Sequence, residues 1–162
     1  MRFIVSACLL GCNCKYNGGN NFNPAVVKFL EGKEYIAICP EEEGGLPTPR
    51  APSEISGGSG ADVLAGLVQV KAKTGGDVSL QFLMGAAQAV LAAKGFGARG
   101  ALLKERSPSC GVRYIHCGDF DNSVGPGQGV AAAALAQAGL LLFSEESIPG
   151  EELAVDYGKI TE

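Results

Sequence analysis

Gly100-Ala-Leu-Leu-Lys-Glu-Arg-Ser-Pro-Ser-Cys110-Gly111 is the stretch whose reading decides the fold. Its first four residues are apolar and show no helical period, so they read as a short buried strand. The run stops at Lys104, and Pro108 and Gly111 impose a tight loop. Cys110 therefore falls just past the carboxyl end of that strand. Two other cysteines share this placement: Cys8 follows the run at 3–7, Phe-Ile-Val-Ser-Ala, and Cys39 follows Tyr35-Ile-Ala-Ile38. If these strands are parallel neighbours, three thiols gather at one edge of one sheet.

The flanking sequence supports parallel strands. Asn23-Pro24 is a helix start, with Asn as N-cap and Pro at the first helical position. Val26, Val27, Phe29 and Leu30 give that helix an apolar face, and Gly32 ends it. Strand, helix and strand make a βαβ unit with a right-handed crossover. Residues 41–60 are rich in Gly, Pro and Ser and are expected to be irregular. Residues 68–73 alternate and read as a short edge strand. Asp77 or Ser79 caps a helix expected over 80–94, with Leu80, Phe82, Leu83, Ala86, Val90 and Leu91 inward and Gly95 closing it. Residues 112–116 suggest a hairpin arm, 119–129 a loop, 130–138 a helix and 140–143 a last strand. From Ser144 onward the pattern is weak and acidic, either a docked short helix or a frayed tail. The expected fold is a single-domain α/β chain over residues 1–162, with its core at 3–146 and a tail at 147–162. It is a three-layer αβα sandwich around a mostly parallel, Rossmann-like sheet. Ligands of such sheets sit beyond the carboxyl ends of the strands.

Composition narrows the function. The chain has 162 residues, 46% hydrophobic and 19% charged, an ordinary globular balance. A net charge of −4 argues against a basic groove for DNA or RNA. No apolar run approaches the roughly 20 residues of a membrane span. The first ten residues read as a strand rather than a leader, and a cytoplasmic chain is expected. Six cysteines in such a chain point to ligands, catalysts or core residues before disulfides. There is one histidine, His116, which leaves little for a multi-His metal site. The 24 glycines, about twice the usual share, imply sharp turns or close backbone approaches.

Three thiolates on three strand ends would make a rigid cradle for an iron–sulfur cluster, which four cysteines usually hold. Three ligands leave one iron open, as a Lewis-acid site requires. Positions 8, 39 and 110 carry no spacing signature; what they share is a place at strand ends. Other readings use the same residues. Cys8-Leu-Leu-Gly-Cys12-Asn-Cys14 misses the C-x3-C-x2-C pattern of radical enzymes, because Lys15 stands where the third cysteine belongs. A zinc site drawing on Cys12 and Cys14 lacks the usual paired knuckles. No thioredoxin-like C-x-x-C is present. Cys12 and Cys14 stay open between ligand and apolar filler, and Cys117 reads as an inert buried residue.

Ser6-Ala-Cys-Leu-Leu-Gly11, Cys14-Lys-Tyr-Asn-Gly18, Cys39-Pro-Glu41, Gly44-Gly-Leu-Pro-Thr-Pro-Arg50, Asp77-Val-Ser79, Ser107-Pro-Ser-Cys-Gly111 and Phe143-Ser-Glu145 occur in order. The chain resembles the small thiouracil desulfurases, or desulfidases, over roughly residues 3–146. Asn17, Ser79 and Ala131 stand where that family commonly has Asp, Thr and Thr. The resemblance implies a [4Fe-4S] cluster on Cys8, Cys39 and Cys110, with one open iron that takes the sulfur of a thiolated pyrimidine. It implies Glu41 as acid/base and Ser107 as catalytic serine. The expected reaction is non-redox hydrolysis of the C–S bond of a thiolated uracil, free or as nucleoside or nucleotide, with release of hydrogen sulfide. Without the resemblance, Glu41 is a solvated acid in the run 41–43 and Ser107 a turn residue before Pro108. Ser109 is a second serine candidate, supporting the cluster by hydrogen bond. Lys104 either offsets cluster charge or caps the strand, and Arg50 meets a ribose phosphate or pairs with the acidic loop. Gly127 lies in Gly125-Pro-Gly-Gln-Gly129, whose amides are candidates for a phosphate or carbonyl. A small thiolated pyrimidine is favoured over tRNA as the partner. Two other readings stand beside this one: a non-catalytic metal- or nucleotide-binding α/β protein, and a redox iron–sulfur module.

Overall fold

The structure is a computed structural model and describes residues 1–150. The chain runs β1 (Phe3–Ser6), a 3-10 turn (Ala7–Leu10), α1 (Pro24–Leu30), β2 (Tyr35–Ile38), α2 (Pro40–Glu43), β3 (Ser53–Ile55) and α3 (Gly60–Leu64). It continues through β4 (Val70–Ala72), α4 (Ser79–Phe96), β5 (Gly100–Leu103), β6 (Tyr114–His116), β7 (Val124–Pro126), α5 (Val130–Gln137) and β8 (Leu141–Ser144). Four strands form one sheet in the order β2-β1-β5-β8, every pair parallel. Phe3 is level with Tyr35 on one side and Gly100 on the other, so the three cysteine-bearing strand ends finish together.

Side-chain alternation along the strands makes the layers. Phe3, Val5 and Leu102 point to one face, where Val26 and Leu30 of α1 cover them. Ile4, Ala101 and Leu103 point to the other face, against Phe82, Ala86, Ala89 and Ala93 of α4 and Val130, Ala131 and Leu135 of α5. This is the expected αβα arrangement. The start of α1 is as read: the Asn23 side chain accepts from the amides of Ala25 and Val26 at 3.0 and 3.3 Å, and Pro24 follows.

Several expectations need correcting. Helix α4 runs to Phe96, and Gly97, in the left-handed region at φ 73°, ends it rather than Gly95. Leu80 and Leu91, expected inward, are 65% and 63% exposed. Apart from Phe82, the inner face of α4 is made of small residues because other helices press close to it. Gly85 faces the Pro40 carbonyl of α2, and Gly44 faces the Gln81 carbonyl of α4, with no room for a Cβ at either place. Segment 41–60 is not wholly irregular. It holds most of α2, all of β3 and the first residue of α3. One turn of α2 forms there because Cys39 serves as N-cap, Pro40 pre-sets the first helical position and Glu41 to Glu43 suit the positive helix end. The 68–73 strand appears as β4, paired antiparallel with β3 outside the main sheet. The hairpin arm appears as β6, whose partner β7 lies inside the expected loop. From residue 151 the acidic tail lies outside the described residues. Among the described residues no helix is long and apolar enough to cross a membrane.

Candidate active site and metal centre

A cavity of about 320 Å³ opens beyond the carboxyl ends of β1, β2 and β5. Cys8, Cys39 and Cys110 all line it, together with Cys14, Glu41, Arg50, Lys104, Ser107, Ser109 and His116. Cys8 sits in the 3-10 turn after β1, one step beyond the expected strand end. Cys39 is the N-cap of α2, and Cys110 lies in the loop after β5. All six cysteines are unpaired. Cys14 is buried, whereas Cys12 and Cys117 are exposed, so the expectation of a buried Cys117 does not hold.

The N-terminal turn of α5 builds the wall that carries Cys110. Gly129 donates to the Gly111 carbonyl at 2.9 Å, Val130 to Pro108 at 2.9 Å and Ala132 to Ser109 at 3.0 Å. A Cβ on Gly129 would collide with the backbone of Ser109 and Cys110. These amides are thus committed to the protein's own carbonyls and do not receive a phosphate. Gly127 does not line the cavity; its amide donates to the Arg113 carbonyl at 3.0 Å.

The polar groups form one connected network. Glu41 Oε2 accepts from the Ser109 hydroxyl at 2.9 Å. Ser109 Oγ lies 3.0 Å from Ser107 Oγ and 3.6 Å from Cys110 Sγ. Ser107 Oγ also accepts the amides of Ser109 and Cys110, at 3.2 and 3.1 Å. Arg50 Nε donates to Glu41 Oε1 at 3.1 Å, and the pair is nearly buried, with side chains 6% and 14% exposed. The rest of the Arg50 guanidinium bonds the Pro47 carbonyl, the Thr48 hydroxyl and the Cys14 carbonyl. It is therefore held by the acidic loop, the second of its two expected places, with little left for a phosphate. Lys104 Nζ donates to the Glu105 carbonyl at 2.8 Å and lies 3.6 Å from Glu145 Oε2.

Burial and neighbours set the thiols apart. Burial pushes the Cys110 thiol up to about 12, against hydrogen bonds from Ser6 and Ser109. Burial also raises Cys8, against a hydrogen bond from Asn21. A hydrogen bond from Cys14 holds Cys39 down at about 7, and Cys14, as the donor, is raised.

Sequence reasoning missed three supporting residues. Ser6 is 2% exposed and accepts the Lys104 amide at 3.0 Å, tying β1 to the cysteine loop. Its signal was a polar residue inside an apolar run. Asn21 gave no signal beyond a polar loop. Glu105 is buried, and its Oε1 gathers the amides of Val112, Arg113 and Tyr114 at 2.8, 2.8 and 3.1 Å. The Glu105 amide in turn donates to Glu145 Oε1 at 2.6 Å. An acid two residues past a buried strand was the available clue.

The family-model comparison matches residues 3–147 to 2-thiouracil desulfurase. The chain belongs to the 2-thiouracil desulfurase family. Within reach of this desulfurase is the uncharacterised protein YbbK of Bacillus subtilis (strain 168), 41% identical over 145 residues, which is 90% of this chain and 96% of YbbK. A solved structure, the [4Fe-4S]-dependent thiouracil desulfidase TudS, is 37% identical. It matches the desulfurase fold with a TM-score of 0.83, over 96% of this chain and 98% of TudS.

Proposed function

We propose that the chain is a [4Fe-4S]-dependent thiouracil desulfidase that replaces the sulfur of a thiolated uracil with oxygen from water. One observation carries this reading: the hydrogen-bonded row Arg50–Glu41–Ser109–Ser107 stands in the same cavity as the thiols of Cys8, Cys39 and Cys110. The donor set fits the cluster. Three soft thiols come from three separate segments, and Ser109 and Asn21 reach two of the sulfurs, as groups that tune cluster ligands do. Cys8, Cys39 and Cys110 would hold it. When bound, the cluster supplies a thiophilic Lewis acid that polarises the thiocarbonyl.

The chain's own groups supply the rest. Glu41 takes the proton of the attacking water at a carboxylate oxygen, and Arg50 fixes the plane of that carboxylate. Ser107 positions the water or passes the proton, and Ser109 links it to Glu41. Lys104 places a positive charge on the cavity wall. Thiouracil and water give uracil and hydrogen sulfide, so no net electron is transferred. The acidic chain favours a free thiolated pyrimidine over tRNA or DNA, and its unpaired thiols fit a reducing compartment such as the cytoplasm.

Anaerobic reconstitution followed by a sulfide-release assay on thiouracil tests the reading. Glu41→Gln and Ser107→Ala should keep the cluster's visible absorbance and lose about 100-fold or more in kcat. Cys110→Ala should lose both colour and activity. Full turnover by colourless wild type would sink the proposal, and a reversible one-electron couple with Glu41→Gln fully active would point to a redox module.

A further inference from the structure

The cavity holds one thiol more than the proposed cluster uses, and that thiol is Cys14. It is 5% exposed. Its sulfur, the sulfur of Cys39 and a carboxylate oxygen of Glu42 all lie within 4.8 Å of one another. The fold explains why they meet. Cys39 caps α2 and Glu42 follows three residues later, so both face one side of a single helical turn. Cys14 arrives from the loop after the 3-10 turn. The segment Pro47–Arg50 orients the donors from behind: the Thr48 hydroxyl donates to Glu42 Oε2 at 3.2 Å, and Arg50 Nη2 donates to the Cys14 carbonyl at 2.8 Å. Supporting hydrogen bonds of this kind are what align metal ligands.

We propose that Cys14, Cys39 and Glu42 form a second metal site, one that takes a thiophilic divalent cation of the zinc type. Two sulfurs and one carboxylate oxygen suit zinc or cobalt and disfavour magnesium or calcium, which require several oxygens. Three protein ligands leave the fourth tetrahedral position to water. Both thiols release their protons to solvent when the cation binds. The site needs the Cys39 thiolate, as does the cluster. Cation and cluster therefore exclude each other, and this exclusion, unlike the site itself, rests on the function proposed above. A zinc-loaded chain is closed to cluster insertion until the cation is removed.

The test titrates the cluster-free 162-residue chain with cobalt(II) under anaerobic, reducing conditions, read by ligand-field and thiolate-to-cobalt absorption. The expected result is one equivalent bound with a tetrahedral spectrum, displaced by zinc. Cys14→Ala and Glu42→Gln should each weaken binding by at least about 10-fold. Cys8→Ala and Cys110→Ala should bind as wild type does. Glu42 is exposed, so Glu42→Gln reports on the site even if Cys14→Ala disturbs folding. Absent binding, or binding that survives both Cys14→Ala and Glu42→Gln, overturns the site. So does binding lost in Cys8→Ala or Cys110→Ala, which would place the cation on the cluster's own cysteines. A second arm attempts cluster reconstitution on zinc-saturated and on metal-free protein. Cluster uptake by the zinc-saturated form overturns the exclusion. Failure of the metal-free form to take up a cluster counts against the cluster reading and leaves the cobalt result standing.

Discussion

Ser109 is the joint of the site, because its one hydroxyl touches Glu41, Ser107 and the Cys110 sulfur. It is a positioning residue in the proposed reaction. Ser109→Ala should lower kcat by about 10- to 100-fold, less than Glu41→Gln, and should shift the cluster's visible bands. Steady-state kinetics beside absorption spectra would check both. Glu105 acts on stability. Burial alone would raise its carboxyl, but the amides of Arg113, Tyr114 and Val112 outweigh it and hold the group below the usual range. A carboxyl depressed in the folded state stabilises above its unfolded value, about 4.3, and that contribution is lost as pH falls through the folded value. Glu105→Gln should therefore lower the melting temperature strongly at neutral pH, by the equivalent of about 2–3 kcal/mol, and progressively less below about pH 4. Burial raises the Glu145 carboxyl, which has the opposite sign, so variant and wild type must be compared at each pH. Neither Ser6 nor Glu105 was legible as a supporting residue, since a sequence shows a polar side chain without showing which amides converge on it.

At the scale of elements, the contact between α2 and α4 sets where Cys39 and Glu41 stand. Gly85→Ala would press a methyl group against the Pro40 carbonyl. The expected cost is about 1–3 kcal/mol, with lowered cluster occupancy as α2 is displaced. A thermal melt and an iron count per chain would show it. The main strands were legible because their apolar runs are short, β-branched in part and stopped by turn residues. The pieces α3, β3 and β7 were not, because three to five residues carry no period. Leu80 and Leu91 were misplaced for a related reason. Size alone suggests the inner face, yet that face of α4 is chosen by the closeness of its neighbours and, Phe82 apart, goes to Gly85, Ala86, Ala89 and Ala93. The glycines at 125–129 advertised free amides. The carbonyls of Pro108, Ser109 and Gly111 that occupy those or adjoining amides belong to a loop that only the folded chain brings near.

At the scale of the whole molecule, the cavity bridges three strand ends that the sheet brings together. A cluster seated there binds the folded chain and not the unfolded one, so it should raise the melting temperature. Anaerobic calorimetry of loaded and cluster-free protein should show that gain, and Cys110→Ala should abolish it. The strand order β2-β1-β5-β8 has one more consequence, which concerns timing. As the polypeptide leaves the ribosome, β1 and β2 emerge before β5 and can pair early. The wall bearing Cys110 follows much later, and β8, which flanks β5, later still. No nascent fragment short of Cys110 contains all three thiols, so an iron–sulfur carrier has no complete pocket to load until the loop after β5 has been made.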